Sequence, residues 1–268
     1  MIPTRYNRMG NDFHHRTQWI INHGAGVLDI GITGADNLAW TFPDGSTSTA
    51  SRPIKTVTAG ATVIRCDDFA KNGLRCIIYN TATALASTRI PAITLPNFRY
   101  SCECYGDFLS GDIARFPKVS YRLVLENILA MTGTIANAPM TTFNFYIINA
   151  NLSGNLSSIS NTITNISLAS LPNVTGTASS IPSVTTTKKL YRCLQITGAL
   201  SVVSSNDTIY FYGNSAVSPA EYDQTIANCV SAGGIGKTLF ISSRRTSASD
   251  ADKATLISRG WTVNDSNV

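Results

Sequence analysis

The sequence predicts a mainly β protein with some α-helix: a small N-terminal β module, a stacked solenoid of about 22-residue coils and an α/β C-terminal cap. Three observations lead to this prediction. A glycine preceded by an apolar residue and then Ser or Thr returns at intervals of 22, 21, 22 and 22 residues. The runs between these glycines alternate in polarity, and helix-start patterns follow near the C-terminus. A fixed period in this range is typical of units that stack on one another.

The repeat has further columns besides the glycine. The repeat-defining glycines are Gly111, Gly133, Gly154, Gly176 and Gly198. Apolar residues stand two before each glycine, two after it and five after it, as do Met131, Ile135 and Ala138 around Gly133. Between the glycines, pairs such as Leu123 and Leu125 alternate with other residues, which predicts a half-buried strand. Each coil would therefore add the same positions to one continuous core.

Residues 27–72 are predicted to form a separate β module ahead of a solenoid at 73–214. The segment from Trp40 to Ser48 has alternating aromatic residues and then an Asp-Gly turn signal. Short strands are expected at Lys55–Val57 and Thr62–Cys66. We expect a truncated sheet packed on the first coil, although an Asp-Gly hairpin beside two core aromatics would explain the segment equally simply.

Residues 215–268 are predicted to cap the solenoid. Ser218 followed by Pro219 is a helix-start pattern, and apolar residues at helical spacing continue to Gly233. A strand is expected at Thr238–Ile241, then a second helix with Ser249 as N-cap that ends before Gly260. Solenoids need atypical terminal units that cover the last coil.

Each repeat has a strand, then an apolar residue, Ser or Thr, and Gly, with Ile two residues after the glycine in the first units. This pattern resembles leucine-rich repeats of the variety with the sequence L-S-G-x-I-P. The resemblance covers roughly residues 75 to 245. The asparagine usual in that family is replaced by Asp107, Leu129, Ala150, Pro172 and Leu194. Its turns must therefore be satisfied by other means. The segment around Trp40 resembles PKD-like sandwich domains, with Pro43 in place of a glycine. The C-terminal ending resembles terminal units of leucine-rich surface proteins of Bacteroidetes and of the crAss-like phages that infect them.

Composition and charge exclude several classes of function. Charged residues are 14% of the chain, and the formal net charge of +5 is carried by scattered residues. A nucleic-acid surface would show a dense basic stripe with aromatic partners, so no nucleic-acid partner is expected. No continuous apolar stretch predicts membrane insertion. The six cysteines include no C-x-x-C pair and are expected as small buried residues, with a disulfide such as Cys66–Cys76 left open.

Several motifs that suggest catalysis or cofactors are better explained as structure. Gly233–Thr238 looks like a phosphate-binding loop, but a helical pattern precedes it and a strand follows, the reverse of that motif. The histidines, at 14, 15 and 23, lie in the polar N-terminal segment, where a solvated or interface role is expected rather than a metal site. The carboxylates Glu103, Asp107, Asp112 and Glu126 are interpreted as ordinary loop or strand-face residues. We expect no catalytic residue, no cofactor and no metal.

What remains is the outward side of the predicted strands. The candidate binding face consists of Arg122, Glu126, Asn144, Tyr146, Asn165, Lys189, Tyr191 and Phe211. Three of these, Tyr146, Tyr191 and Phe211, would form an exposed aromatic strip flanked by charges. Such a strip is typical of protein or glycan contact, although lateral packing within a sheet is an equally good explanation.

These observations predict a non-enzymatic bacteriophage virion protein from a tail fibre, collar or head appendage. Residues 1–26 form a polar segment without the apolar core of a secretory signal, and are expected to be an arm attached to other virion proteins. The solenoid face would bind a host cell-surface protein or glycan, and a homo-oligomer is compatible with this role. The alternatives are a bacterial cell-surface leucine-rich-repeat adhesin and a polysaccharide-degrading spike.

Overall fold

The computed structural model describes residues 18–69, 73–79, 82–86, 90–91, 95–96, 100–139, 141–203 and 205–266. Strands account for 41% and helices for 18%, so the prediction of a mainly β chain with a few helices is confirmed. The sheets are open. Apolar residues from the N-terminal strands through to Trp261 belong to one hydrophobic core.

The N-terminal strands form a small antiparallel sheet beside a two-stranded ribbon. They are β1 Gln18–His23, β2 Gly26–Leu28, β3 Ile30–Thr33, β4 Ala39–Thr41, β5 Thr47–Ser48, β6 Lys55–Val57 and β7 Gly60–Arg65. The sheet has the order β1-β7-β4-β5, and β2 pairs with β6. Trp40 is fully buried, and its indole Nε1 donates to the Ala50 carbonyl at 2.8 Å. The Asp-Gly segment forms the turn between β4 and β5, as the sequence predicts.

The first strand corrects the boundary of the expected N-terminal arm. Residues 18–23, assigned to that arm, pair with β7 along its whole length. The reason is the alternation of Trp19, Ile21 and His23, which are all buried. His23 is hydrogen-bonded to Thr62 Oγ1 at 2.8 Å, so it is a core residue and not a solvated one. Residues 1–17, including His14 and His15, lie outside the described residues.

The rest of the chain is organised around a ten-stranded sheet. The elements are β8 Arg75–Ile78, α1 Thr83–Ala86, β9 Ile90–Pro91, β10 Ser101–Tyr105, β11 Leu109–Asp112, β12 Arg122–Ile128, β13 Met131–Thr132, β14 Asn144–Ala150, β15 Ser153–Asn155, β16 Asn165–Ala169, β17 Asn173–Thr177, β18 Thr187–Tyr191, β19 Gln195–Thr197, β20 Thr208–Tyr212, α2 Pro219–Ala232, β21 Thr238–Ser242, α3 Asp250–Ser258 and β22 Thr262–Ser266. The sheet order is β22-β21-β20-β18-β16-β14-β12-β10-β8-β3, parallel except for the antiparallel pair β3 and β8. Because β3 lies in the predicted N-terminal module, the module and the repeats share a sheet.

Each repeat unit adds one long strand and one short strand. From β10 to β20, neighbouring long strands are 21 or 22 residues apart in sequence and pair in register, for example Leu123 with Phe145 and Phe145 with Ile166. The short strands form two further parallel sheets, β13-β11-β9 and β15-β17-β19. The repeat glycines lie within these strands at 111, 154 and 176 and directly after them at 133 and 198. A 3-10 turn follows the short strand in four units, at Ile113–Arg115, Ile135–Asn137, Leu156–Ser158 and Ala178–Ser180.

The predicted apolar columns are buried. In the unit that contains Gly154, the residues Phe145, Ile147, Leu152 and Leu156 have no exposed surface, and Ile159 is 6% exposed. Burying a side chain of this size contributes at most about 1.5–3 kcal/mol. The other units place equivalent sets at the same positions, except that Lys188 and the partly exposed Val203 occupy two of them in the last unit. The apolar residues of successive units therefore belong to one continuous core.

The repeat glycines are required by both conformation and space. Gly133 has φ +103°, and a Cβ there would lie 2.5 Å from Asp112 Oδ1 of the preceding unit. At Gly176 the φ is +109°, and a Cβ would lie 2.6 Å from Asn155 Oδ1. An L side chain rarely adopts this conformation, and the contact shows that each glycine packs against the turn of the unit before it.

A second column of left-handed residues, which the sequence reading missed, lies where each long strand ends. Its members are Gly106, Asn127, Asn149, Ser170, Arg192 and Gly213, all at positive φ. Two asparagines of this column are linked, since Asn149 Nδ2 donates to Asn127 Oδ1 at 2.7 Å. The backbone N–H of Ser170 donates to the Tyr191 carbonyl at 3.1 Å, so the bend keeps its inter-strand hydrogen bond. These residues supply the bends that follow the long strands.

The C-terminal helices begin and end as predicted. The Ser218 hydroxyl accepts from the Glu221 N–H, and the Glu221 side chain accepts from the Ser218 N–H, which forms a capping box at the start of α2. Gly233, at φ +72°, ends that helix, and Gly260, at φ +77°, follows α3. No helix within the described ranges is both long and apolar enough to cross a membrane.

Candidate binding face

The outward side of the ten-stranded sheet is built from aligned rows of side chains. Strand alternation points Leu123, Phe145 and Ile166 into the core, so the residues between them face outward. One outward row contains Glu103, Val124, Tyr146, Ser167, Lys189, Tyr210 and Phe240. The next row contains Tyr105, Glu126, Ile148, Ala169, Tyr191 and Tyr212.

Five half-buried aromatic residues of these rows form what we call the aromatic platform: Tyr146, Tyr191, Tyr210, Tyr212 and Phe240. The ring centroids of Tyr191 and Tyr212 are 5.2 Å apart, and those of Tyr210 and Phe240 are 4.4 Å apart, both pairs stacked. The two pairs are joined by a tilted contact of 6.3 Å between Tyr210 and Tyr212. Stacking of this kind holds the rings in place at little entropic cost.

The platform extends across β16 because that strand carries small outward residues. Ser167 is 2% exposed and Ala169 is fully buried although both face outward. Such short side chains can be buried there only if larger neighbours close over them. Tyr146 on one side and Lys189 and Tyr191 on the other are the neighbours at these positions.

Charged groups surround the rings. Lys189 Nζ lies 4.7 Å from the centroid of the Tyr210 ring, and Arg122 lies 5.6 Å from that of Tyr146, both within the range of cation–π attraction. Burial raises the pKa of the Tyr191 phenol, and the nearby Glu126 carboxylate raises it further. The Tyr191 phenol therefore stays neutral at physiological pH and can donate a hydrogen bond.

A buried ion cluster fixes the edge of the face nearest the N-terminal module. Glu103 is 3% exposed, and its Oε1 accepts from Arg75 Nη2 and from Arg122 Nε, each at 2.9 Å. Its Oε2 accepts from the Tyr105 hydroxyl at 2.9 Å. Burial opposes ionisation, but donation from Arg75, Tyr105 and Arg122 prevails and lowers the pKa of Glu103. This carboxylate was interpreted as an ordinary strand residue; it is instead the centre of a charged network.

Two residues of the predicted face are not on the surface. Phe211 is fully buried and packs against the Tyr222 ring at 5.3 Å, because Tyr191 aligns with Tyr212 and not with Phe211. Residues Ile209 to Tyr212 are all apolar or aromatic, so the sequence does not show which of them face the core and which face outward. Counting 21 residues from Tyr191 would have found Tyr212.

Asn144 is the second correction, since it faces outward but is only 3% exposed. Its Oδ1 accepts from Asn165 Nδ2 at 2.9 Å, and Asn165 Oδ1 accepts from the Thr186 hydroxyl at 3.1 Å. The two amides satisfy each other along the sheet, so they form a structural ladder. Six residues of the predicted set lie partly exposed on the same side of the sheet: Arg122, Glu126, Tyr146, Asn165, Lys189 and Tyr191.

No family model, curated protein or solved structure matches the chain. Assignment of a function therefore depends on the geometry of this face.

The glycine-lysine loop has a structural explanation. It lies between α2 and β21, in the helix-before-strand order that the sequence predicts. Lys237 is 8% exposed, and its Nζ donates to the Asn206 carbonyl at 2.7 Å. The same Nζ lies 5.8 Å from the centroid of the Trp261 ring. The lysine thus joins the last strands of the sheet.

Proposed function

We propose that this chain is a non-enzymatic binding protein whose repeats form a leucine-rich-repeat-like solenoid, and that the aromatic platform contacts the partner. The observation that carries the proposal is the platform itself: four tyrosines and a phenylalanine, half-buried on one side of the sheet, of which Tyr191 stacks on Tyr212 and Tyr210 on Phe240. Tyrosine offers a large rigid apolar ring and a polar tip, which is why it is enriched at recognition surfaces.

The polar groups of the platform support a recognition role. In the described part of the chain, no hydrogen bond engages the phenol groups of Tyr146, Tyr191, Tyr210 or Tyr212, and no ion pair engages the carboxylate of Glu126. A partner can therefore bind these groups without first breaking a bond within the protein. Glu103, by contrast, accepts from two arginines and a tyrosine, so its carboxylate has little capacity to act as a catalytic acid. This favours a binding protein over the polysaccharide-degrading spike.

We further propose that the partner is a protein or glycan of a host cell surface and that the chain belongs to a bacteriophage particle. The resemblance of its repeats and C-terminal ending to surface proteins of Bacteroidetes and their phages supports this assignment. Since residues 18–23 belong to a sheet, attachment to the particle is assigned to residues 1–17. Deletion of 1–17 is expected to abolish incorporation into particles and leave a soluble, folded body; incorporation at the normal level would contradict the assignment.

The binding proposal is tested with fluorescently labelled protein and whole Bacteroidetes cells in flow cytometry. The double variant Tyr191→Ala, Tyr212→Ala is expected to bind at least about tenfold more weakly, since an aromatic hot spot contributes about 2 kcal/mol or more. The control is Ile235→Ala, Ile257→Ala, which removes apolar residues that are 79% and 51% exposed elsewhere on the protein.

Equal binding by the platform variant and the control would overturn the proposal. Pretreating the cells with periodate or with protease identifies the partner as glycan or protein. A bacterial adhesin would instead be found on the producing cell, which antibody labelling of cells and of purified particles distinguishes.

A further inference from the structure

Three cysteines lie together in the core at the start of the parallel strands. Cys76 on β8 and Cys102 and Cys104 on β10 are fully buried. Cys102 Sγ and Cys104 Sγ are 3.8 Å apart. Cys76 stands directly opposite Cys102 in the parallel register. The other three cysteines are also free and buried.

The backbone geometry distinguishes the two pairs that contain Cys102. Neighbouring strands lie about 4.8 Å apart, which is inside the Cα separation of about 4.4–6.8 Å that disulfides require. Residues two apart on one strand are separated by about 6.6 Å, at the limit of that range. The side chains of Cys76 and Cys102 also leave their strands on the same face, side by side. The cross-strand pair is therefore the one that can be bridged without moving the backbone.

We propose that Cys76 and Cys102 are a redox pair that forms a cross-strand disulfide on exposure to hydrogen peroxide. The Cys102 thiolate attacks one peroxide oxygen, the O–O bond breaks, and a sulfenic acid and a hydroxide ion form. The Cys76 sulfur then attacks the sulfenic sulfur, its S–S bond replaces the S–O bond, and the departing oxygen leaves as water with the thiol proton. Two thiols and one peroxide thus become one disulfide and two water molecules, with two electrons passing to peroxide.

The surroundings favour Cys102 as the attacking sulfur. Donation from the thiols of Cys104 and Cys76 lowers the pKa of Cys102. Burial raises the pKa of Cys76, and the hydrogen bond to Cys102 together with burial raises that of Cys104. A lower pKa gives more thiolate, which is the reactive form.

The disulfide would join β8 to β10, at the two ends of the segment that connects these strands. It closes a loop of the 25 residues from 77 to 101. A closed loop restricts the unfolded chain and so stabilises the folded one. Because β8 also pairs with β3 of the N-terminal module, the oxidised protein would have the strand that pairs with that module covalently linked to β10.

The test uses the full chain, treated with hydrogen peroxide while folded, then denatured and alkylated with iodoacetamide. We expect two of the six thiols to be lost, a linked peptide pair containing Cys76 and Cys102 in mass spectrometry, and a rise of several degrees in Tm that a reductant reverses. Cys104→Ala is expected to keep the cross-link, and Cys76→Ser to abolish it.

Other results would overturn the inference. These are retention of all six thiols after oxidation, a Cys102–Cys104 linkage, or an unchanged yield of the disulfide in Cys76→Ser. The linked peptides of the unmodified sequence decide the matter even if a variant fails to fold.

Discussion

Lys188 provides a quantitative test of the core, because it is a lysine in an apolar column. It aligns with Ile166 on one side and Ile209 on the other, and it is fully buried. Its Nζ donates to the Ser201 carbonyl at 2.8 Å. Burial lowers the pKa of this ammonium from 10.5 to about 8, partly offset by the nearby Cys229 thiol. We expect Lys188→Met to change the pH dependence of stability.

The magnitude follows from the shift and the lost hydrogen bond. Because the pKa falls from 10.5 to about 8, and one pH unit corresponds to about 1.36 kcal/mol, protonated Lys188 destabilises the folded state by about 3 kcal/mol. Methionine removes this penalty but leaves the Ser201 carbonyl without its donor, which costs about 1–3 kcal/mol. Near pH 7 the variant should therefore equal the parent or exceed it by up to about 2 kcal/mol.

The sign reverses in base. Between about pH 8 and 10.5 the unfolded chain holds this proton and the folded chain does not, so the parent gains stability as pH rises. The advantage of the variant should fall by about 3 kcal/mol across that window and become a disadvantage of about 1–3 kcal/mol above it. Burial raises the pKa of Cys229 to about 12, so that thiol stays neutral throughout.

The assay is urea unfolding followed by circular dichroism at several pH values from about 7 to above 10.5. Lys189→Met is the matched control, because it makes the same substitution at the next residue of the strand, where the side chain faces outward. A free-energy difference for Lys188→Met that is constant over the whole range would refute the reasoning.

Three further outcomes are expected, each measured as a free energy of unfolding in urea. Gly133→Ala should cost about 1–3 kcal/mol from its conformation and more because the new Cβ would lie 2.5 Å from Asp112 Oδ1. Gly45→Ala, at φ +78° with nothing within 4 Å of its Cβ, should show the conformational cost alone. Equal losses for the two variants would contradict the steric cost at Gly133. Phe211→Ala should cost about 3–5 kcal/mol as a buried aromatic and Tyr212→Ala much less, and the reverse order would mean that the register of β20 is wrong. Glu103→Gln should cost about 2 kcal/mol at neutral pH, because charged hydrogen bonds to Arg75 and Arg122 weaken. Since the folded pKa of Glu103 is lowered, its stabilisation exists above the ordinary carboxyl pKa and is lost as pH falls through the folded value. The gap to Glu103→Gln should therefore close in acid, and a gap that persists there would contradict the ion cluster.

The repeat could be predicted because its columns carry strong physical requirements. The backbone at Gly133 and its equivalents has a positive φ, which favours glycine. The residues of the apolar columns are buried, which favours apolar side chains. The same residue types therefore recur in the sequence at these positions. The bounds of α2 were equally predictable. Ser218 and Pro219 are residue types that favour a helix start, and Gly233 is one that favours a helix end. In each case a single residue type satisfies a local need, and the sequence shows it directly.

The candidate face was predictable only in part. A row of outward residues has no common chemistry, since Tyr146, Ser167 and Lys189 occupy equivalent positions. Its members can be found only by carrying the period of 21 or 22 forward from one strand to the next. Phe211 was misplaced because Ile209 to Tyr212 are all apolar or aromatic, so the sequence does not show which of them face outward. Glu103 was missed because its two arginines come from different strands.

The left-handed column at the strand ends has a consequence for how the chain folds. Because each long strand from β10 to β20 turns at the same point, its partner is always 21 or 22 residues away. Divided by the chain length of 268, this separation gives a relative contact order of about 0.08 for these pairings, in the range of helical bundles and well below the values of about 0.16–0.22 typical of β-sandwiches. The sheet can therefore grow one strand at a time as the polypeptide is synthesised, each unit docking on the one completed just before it.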